Sequence, residues 1–173
     1  MKIFKMKNIV YIIALLFSFL AQSQEKTTTI YLIRHAEKAD ASADPDLSEA
    51  GKARAARWAA WFKDKDITLY YTTPYKRTSH TMLAIAMAID LVPGTTLTKE
   101  YRTYSPTELS LKEVANDNTG KNILIIGHSN TIPASINKLV GKETYKDIPE
   151  DEFDNLYIIT ITGDKITHKL VKM

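Results

Sequence analysis

Apolar and polar positions alternate along the chain in blocks that switch between strand-like and helix-like spacing. Thr29–Ile33 is a short β-branched run bounded by Arg34 and reads as a buried strand. Residues 39–46 are polar, with Pro45 as punctuation, and read as a loop. From Ser48 to about Lys63, alanines, Trp58 and Trp61 recur at helical spacing, with Ser48 placed to cap the start. Ile67–Thr72 is a second strand. Thr73-Pro74 then reads as the start of a helix to about Ile89, ended by Leu91-Val92-Pro93-Gly94. Ser105-Pro106-Thr107-Glu108 has the form of a capping box for a helix to about Ala115. Asn122–Ile126 is a third apolar strand, and Thr131–Val140 a helix after it. Residues 155–162 and 165–172 are β-rich and flank Gly163-Asp164, a hairpin signal. The pattern predicts an α/β fold: a three-layer α/β/α sandwich with a mostly parallel sheet and a C-terminal β-hairpin.

The first residues stand apart. Lys2, Lys5 and Lys7 precede an apolar run from Ile9 to Ala21, and Ala21-Gln22-Ser23 places small residues where a signal peptidase reads. That is the three-part form of a secretory signal peptide. The run of 13 residues is shorter than the roughly 20 needed to span a bilayer as a helix. The expectation is a signal over 1–23, a single domain over 24–173, export to the periplasm or the medium, and no membrane attachment after cleavage.

This division changes the charge balance. The 173-residue chain has 23 Lys+Arg against 20 Asp+Glu, but three of the lysines and none of the acids lie in residues 1–23. The remainder is neutral, which disfavours nucleic acid as a partner, because that binding needs clustered cations. There is no cysteine, hence no disulfide and no thiolate metal site.

Two histidines close two of the predicted buried strands, in Arg34-His35 and Gly127-His128. Ligands of open parallel sheets bind beyond the carboxyl ends of the strands, so both imidazoles can share one crevice. Arg77 lies in the first turns of the helix after the second strand, whose N-terminus favours an anion. Two guanidiniums, two imidazoles and a helix start suit a doubly charged, oxygen-rich group such as a phosphoryl. A neutral imidazole can attack phosphorus while the arginines and the second imidazole stabilise the equatorial oxygens. On this reading no metal and no cofactor is required.

The motifs that carry these residues resemble those of a known family. Leu32–Lys38 (LIRHAEK) is similar to the Arg-His-Gly/Ala-Glu signature of the histidine phosphatase, or phosphoglycerate mutase-like, superfamily. Leu47–Ala55 resembles its Leu-[Ser/Thr]-x-x-Gly stretch. Tyr71–Met82 resembles its Ser-x-x-x-Arg-x-x-x-Thr helix start, with Thr73 in place of Ser. Ile125–Ile132 resembles its Gly-His motif. The short spacing between motifs looks most like the small SixA-like branch. The resemblance implies that His35 is the phosphorylated nucleophile, that Arg34, Arg77 and His128 complete the phosphate pocket with Ser129 beside them, and that the substrate is a small phosphorylated molecule or a phosphohistidine protein. A phosphoglycerate mutase-like phosphotransferase and a non-catalytic phosphate-binding module are the alternatives.

The leaving-group acid is not assigned by the motifs. Ser129 follows His128, where some relatives carry Asp. Glu37 either pairs with Lys38 or Lys52 on the rim or exchanges a proton with substrate. Glu100 lies in a loop-like stretch and could reach the site, whereas Glu108 and Glu113 fit a helix cap and a solvated face. The loops 38–46 and 92–107, with Tyr101, Arg102 and Tyr104, are candidates for specificity. His80 and His168 read as surface and structural, Trp58 and Trp61 as core, and Asn130 as a helix cap.

Overall fold

The computed structural model describes residues 25–90 and 99–173. The expected signal segment and the expected helix stop at 91–94 lie outside the described residues. Six strands form one sheet: β1 (Thr27–Arg34), β2 (Ile67–Thr72), β3 (Glu100–Thr103), β4 (Asn122–Gly127), β5 (Asn155–Thr162) and β6 (Lys165–Lys172). Four helices are described: α1 (Glu49–Phe62), α2 (Lys76–Asp90), α3 (Leu111–Asp117) and α4 (Thr131–Val140). The strand order is β3-β2-β4-β1-β5-β6, parallel from β3 to β1 and antiparallel at the two C-terminal pairings.

The central strands are apolar at nearly every position because both faces of the sheet are covered. Ile30, Leu32, Leu69, Ile123 and Ile125 pack with Leu111, Val114, Ile132 and Ile136 from α3 and α4. Tyr31, Ile33, Tyr70, Leu124 and Ile126 pack with Trp58 and Phe62 of α1 and Met82, Ile85 and Ile89 of α2. Trp58 is fully buried, as expected of a core residue, whereas Trp61 is half-buried and packs edge-on against Tyr31 and Phe62 at the margin of the core. The terminal hairpin turns at Gly163, whose φ of 55° lies in the left-handed region that a glycine enters without strain.

Three local expectations are corrected. β3 forms in the stretch expected to be loop-like. Its four residues are all exposed at the sheet edge, and a short polar edge strand leaves no apolar alternation to detect. The helix expected from Ser105 begins at Leu111. Residues 105–108 form a turn, and Ser110 Oγ accepts from Glu113 N instead. The chain is still tied to the sheet at Tyr104, whose N–H donates to Thr72 O, so the helix cannot start until it has left that edge. α2 starts at Lys76 rather than at Pro74, because the Thr73 hydroxyl bonds to side chains and does not cap a backbone N–H.

Gly51 shows why a glycine follows Leu47-Ser48 three residues on. Ser48 caps α1, and the Glu37 carbonyl accepts from Ser48 N at 3.0 Å, which presses the helix start onto the backbone after β1. A Cβ at position 51 would stand 2.3 Å from Glu37 O. Gly51→Ala is therefore expected to lower stability by about 1–3 kcal/mol, as overpacked interiors do. A urea titration checks this, and an unchanged midpoint would show that the contact relaxes freely.

Candidate active site

β2, β4 and β1 are neighbours, and their registers align Thr72 with Ile126 and Arg34 with Gly127. The residues that follow each strand therefore emerge at one level of one edge. His35, His128, Arg34 and Arg77 line a cleft of about 300 Å3 there, together with Ser129 and Glu150. Lys38, Ser42, Ala43 and Pro45 of the 38–46 loop form its other wall. The structure thus brings together five of the six site residues expected from sequence. Glu37 is the exception.

His35 is almost fully buried. Its Nδ1 lies 2.8 Å from the Ala36 carbonyl. A carbonyl can only accept, so Nδ1 carries the proton and Nε2 keeps its lone pair. Burial lowers the affinity of this ring for a second proton, and the fields of His128, Arg34 and Arg77 lower it further. The Ala36 bond works the other way, and the net pKa is about 4. Ala36 is itself held to α2, because its N–H donates to Thr81 Oγ1 while that hydroxyl donates to Arg77 O.

His128 stands edge-on to His35, with ring centroids 5.5 Å apart. Its Nε2 is 3.0 Å from Thr73 Oγ1, which is 2.9 Å from Thr78 Oγ1. Thr78 also has two carbonyls in reach, Thr73 O and Tyr75 O. Those carbonyls fix the direction of the chain: Thr78 donates to a carbonyl, Thr73 donates to Thr78, and His128 Nε2–H donates to Thr73. Burial, then Arg77 and Arg34, bring the His128 pKa to about 4.

Arg34 is buried and serves two purposes. Nη1 donates to the carbonyls of Pro149, Glu150 and Glu152 at 2.8–3.1 Å, anchoring the loop before β5. Nη2 donates to Glu150 Oε2 at 2.7 Å. Phe153 lies under the guanidinium, 4.3 Å from Cζ. Nε is buried and has no hydrogen-bond partner among the described residues. Arg77 rests over the Tyr75 ring. The α2 N-terminus that sequence offered to an anion is occupied from within the chain, since Lys76 N donates to Asp44 Oδ1.

Glu37 does not line the cleft. Its partner is Arg54, with Nε and Nη2 at 2.8 and 2.7 Å from Oε1, rather than Lys38 or Lys52. Burial alone would raise its pKa, but the Arg54 bonds outweigh that and hold the carboxyl below its ordinary value. Glu100 is engaged by Arg102 and Lys121 at the amino end of β3, the far end from the cleft. Tyr101 stacks on Tyr70, Arg102 also reaches Tyr71 Oη, and Tyr104 is bonded to Ile126 O, so none of the three lines the cleft. His80 pairs with Asp46, and His168 bonds Tyr145 on the hairpin side. Asn130 occupies the α4 cap position without a side-chain cap bond and borders the cleft instead. Among the described residues, no group of three or more His, Asp or Glu is placed to hold a metal ion.

Glu150 is the cleft residue that sequence reasoning missed. Its side chain is 80% exposed, pairs with Arg34 and accepts from Ser129 Oγ at 3.3 Å. It belongs to an acid-rich stretch, Asp147 to Asp154, with nothing local to set one carboxylate apart.

Residues 30–99, which include Arg34, His35 and Arg77, match the family model of the histidine phosphatase superfamily (branch 1). The fold is that of the histidine phosphatases. The protein histidine phosphatase SixA, solved with tungstate, superposes with a TM-score of 0.64 at 16% identity, over 83% of this chain and 96% of that one. A phosphoglycerate mutase from Bacillus anthracis gives 0.62 at 17%, over 86% and 94%. A mycobacterial glucosyl-3-phosphoglycerate phosphatase gives 0.59 at 11%, over 85% and 98%. No curated protein matches the sequence. Residues 30–99 are similar to the histidine phosphatase superfamily, whose members are phosphatases and mutases.

The two low histidine pKa values have a consequence for stability. Unfolded imidazoles titrate near 6.5 and these near 4, so between those values the unfolded chain binds more protons. Stability from this source is complete above about pH 6.5 and declines as pH falls toward 4. NMR titration of the ring protons should show both rings neutral at pH 6. A ring titrating near 6.5 would contradict the buried, cation-flanked environment.

Proposed function

We propose that this chain is an exported, metal-independent phosphohydrolase that works through a phosphohistidine intermediate on His35. The observation that carries the reading is the fixed His35 tautomer, which leaves Nε2 unprotonated in a cleft flanked by Arg34, Arg77 and His128. Nε2 attacks phosphorus, and the bond to the leaving group breaks as the P–N bond forms. Arg34, Arg77 and His128 meet the equatorial oxygens, with Ser129 at the edge. Two negative charges in the cleft favour protonation of His128 at Nδ1, which turns it into a further cation while Nε2–H stays on Thr73. Water then attacks the phosphohistidine and His35 recovers its lone pair. Substrates are phosphomonoesters or phosphohistidine side chains. An open cleft suits release of phosphate to water better than its return to a reoriented product, which favours a hydrolase over a mutase.

His35→Ala should keep its circular dichroism and lose several orders of magnitude in kcat on an aryl phosphate. A folded variant retaining a tenth of the activity would overturn the mechanism. Activity should survive chelation, and loss on chelation with rescue by a divalent ion would contradict metal independence. Export is checked by sequencing the N-terminus of protein recovered outside the cytoplasm. It should begin at Gln24, and recovery of uncleaved chain from the cytoplasm would refute export.

A further inference from the structure

The cleft contains a carboxylate in direct contact with the guanidinium that should receive the phosphoryl group. We propose that Glu150 is the proton donor to the leaving group, held on Arg34 in the free protein and freed by the arriving phosphoryl group to stand protonated beside it. This rests on the phosphohydrolase reading.

Placement carries the argument. The 149–152 backbone is pinned by the three bonds from Arg34 Nη1, and Ile148 N donates to Ser129 O. The loop therefore cannot drift, yet the Glu150 side chain sits at the exposed rim, where a leaving group must exit. Its two oxygens contact Arg34 Nη2 and Ser129 Oγ, which border the phosphate position. The alternatives are excluded by geometry, since Glu37 is tied to Arg54 and Glu100 lies at the other end of the sheet.

The charge balance supplies the proton. In the free protein Glu150 faces Arg34 and Lys38, with Arg77 across the cleft, and its proton affinity is lowered chiefly by Arg34. His35 and His128 face it uncharged. On its own loop, Glu152 is neutralised by Lys172, and Asp151 is exposed. A bound phosphoryl dianion competes for Arg34 and adds two negative charges close by, one of them offset by the proton that His128 takes up. Both effects raise the proton affinity of Glu150, which takes one proton from solvent. As the His35 Nε2–P bond forms and the P–O bond breaks, that proton passes to the leaving oxygen. The resulting carboxylate then accepts a proton from the water that attacks the phosphohistidine, and releases it to solvent with the phosphate.

The test compares the full chain with Glu150→Gln, which keeps the shape of the side chain and removes its acidity. Rates are measured on p-nitrophenyl phosphate and on an alkyl phosphate. The variant should lose about 100-fold or more on the alkyl ester, a typical worth for general acid catalysis, and only a few-fold on the aryl ester. Glu100→Gln should change neither. Calorimetry with inorganic phosphate in buffers of different ionisation enthalpy should show about one proton fewer taken up by the variant than by the parent. Equal losses on both esters, or equal proton uptake, would overturn the role of Glu150 alone. Release of phosphate from a phosphohistidine peptide but from neither ester would overturn this role alone, and release from none of the three would overturn the functional reading with it.

Discussion

The end of β1 places an arginine out of reach of water, and much of the site follows from satisfying it. A buried guanidinium has five donors and a full charge, and leaving them unmet would cost several kcal/mol. The chain meets this by folding the 149–152 backbone over Nη1, stacking Phe153 beneath and bringing one carboxylate to Nη2. The loop that closes the cleft is thus shaped by an electrostatic demand from a strand more than 100 residues earlier in the chain. Of its three nitrogens, Nε makes no hydrogen bond, and it lies on the residue next to His35 in sequence.

The second organising element is the strength of neutral imidazole in a cationic setting. Burial makes a protonated ring costly, and Arg34 and Arg77 add to that, so both rings stay neutral without a dedicated base. Backbone and hydroxyl contacts determine which nitrogen is available. The Ala36 carbonyl does this for His35, and the Thr73–Thr78 pair does it for His128.

Legibility in the sequence followed range. The parallel core was readable because strands buried on both faces are continuous apolar runs, and three short motifs brought Arg34, His35, Arg77 and His128 to the carboxyl edge. The hairpin was readable from Gly163-Asp164. What escaped was set by long-range pairing. The Glu37 carboxylate could have met Lys38, Lys52 or Arg54, and only the angle of α1 against the first loop selects Arg54. Glu150 is one acid among several in a stretch with no periodicity, and its relation to Arg34 exists only in three dimensions. β3 carries no core residue, so no pattern marks it. The true start of α3 was written in Ser110 and Glu113, but an identical spacing five residues earlier competed for it.

The strand order has a temporal meaning. The chain lays down β1 and then β2 with an empty slot between them, and β4, which fills it, comes some fifty residues after β2. Until residues 122–127 are available, the two flanking strands have no common partner, and the guanidinium of Arg34 waits longer still, for residues 149–153. Such non-local pairing is slow to nucleate, because the loop entropy is spent before any contact repays it. The cleft is consequently a product of late folding: nascent chains ending before β4 carry the Arg34-His35 pair but no pocket, which takes shape only once the sheet has closed and the 149–153 segment has folded over it.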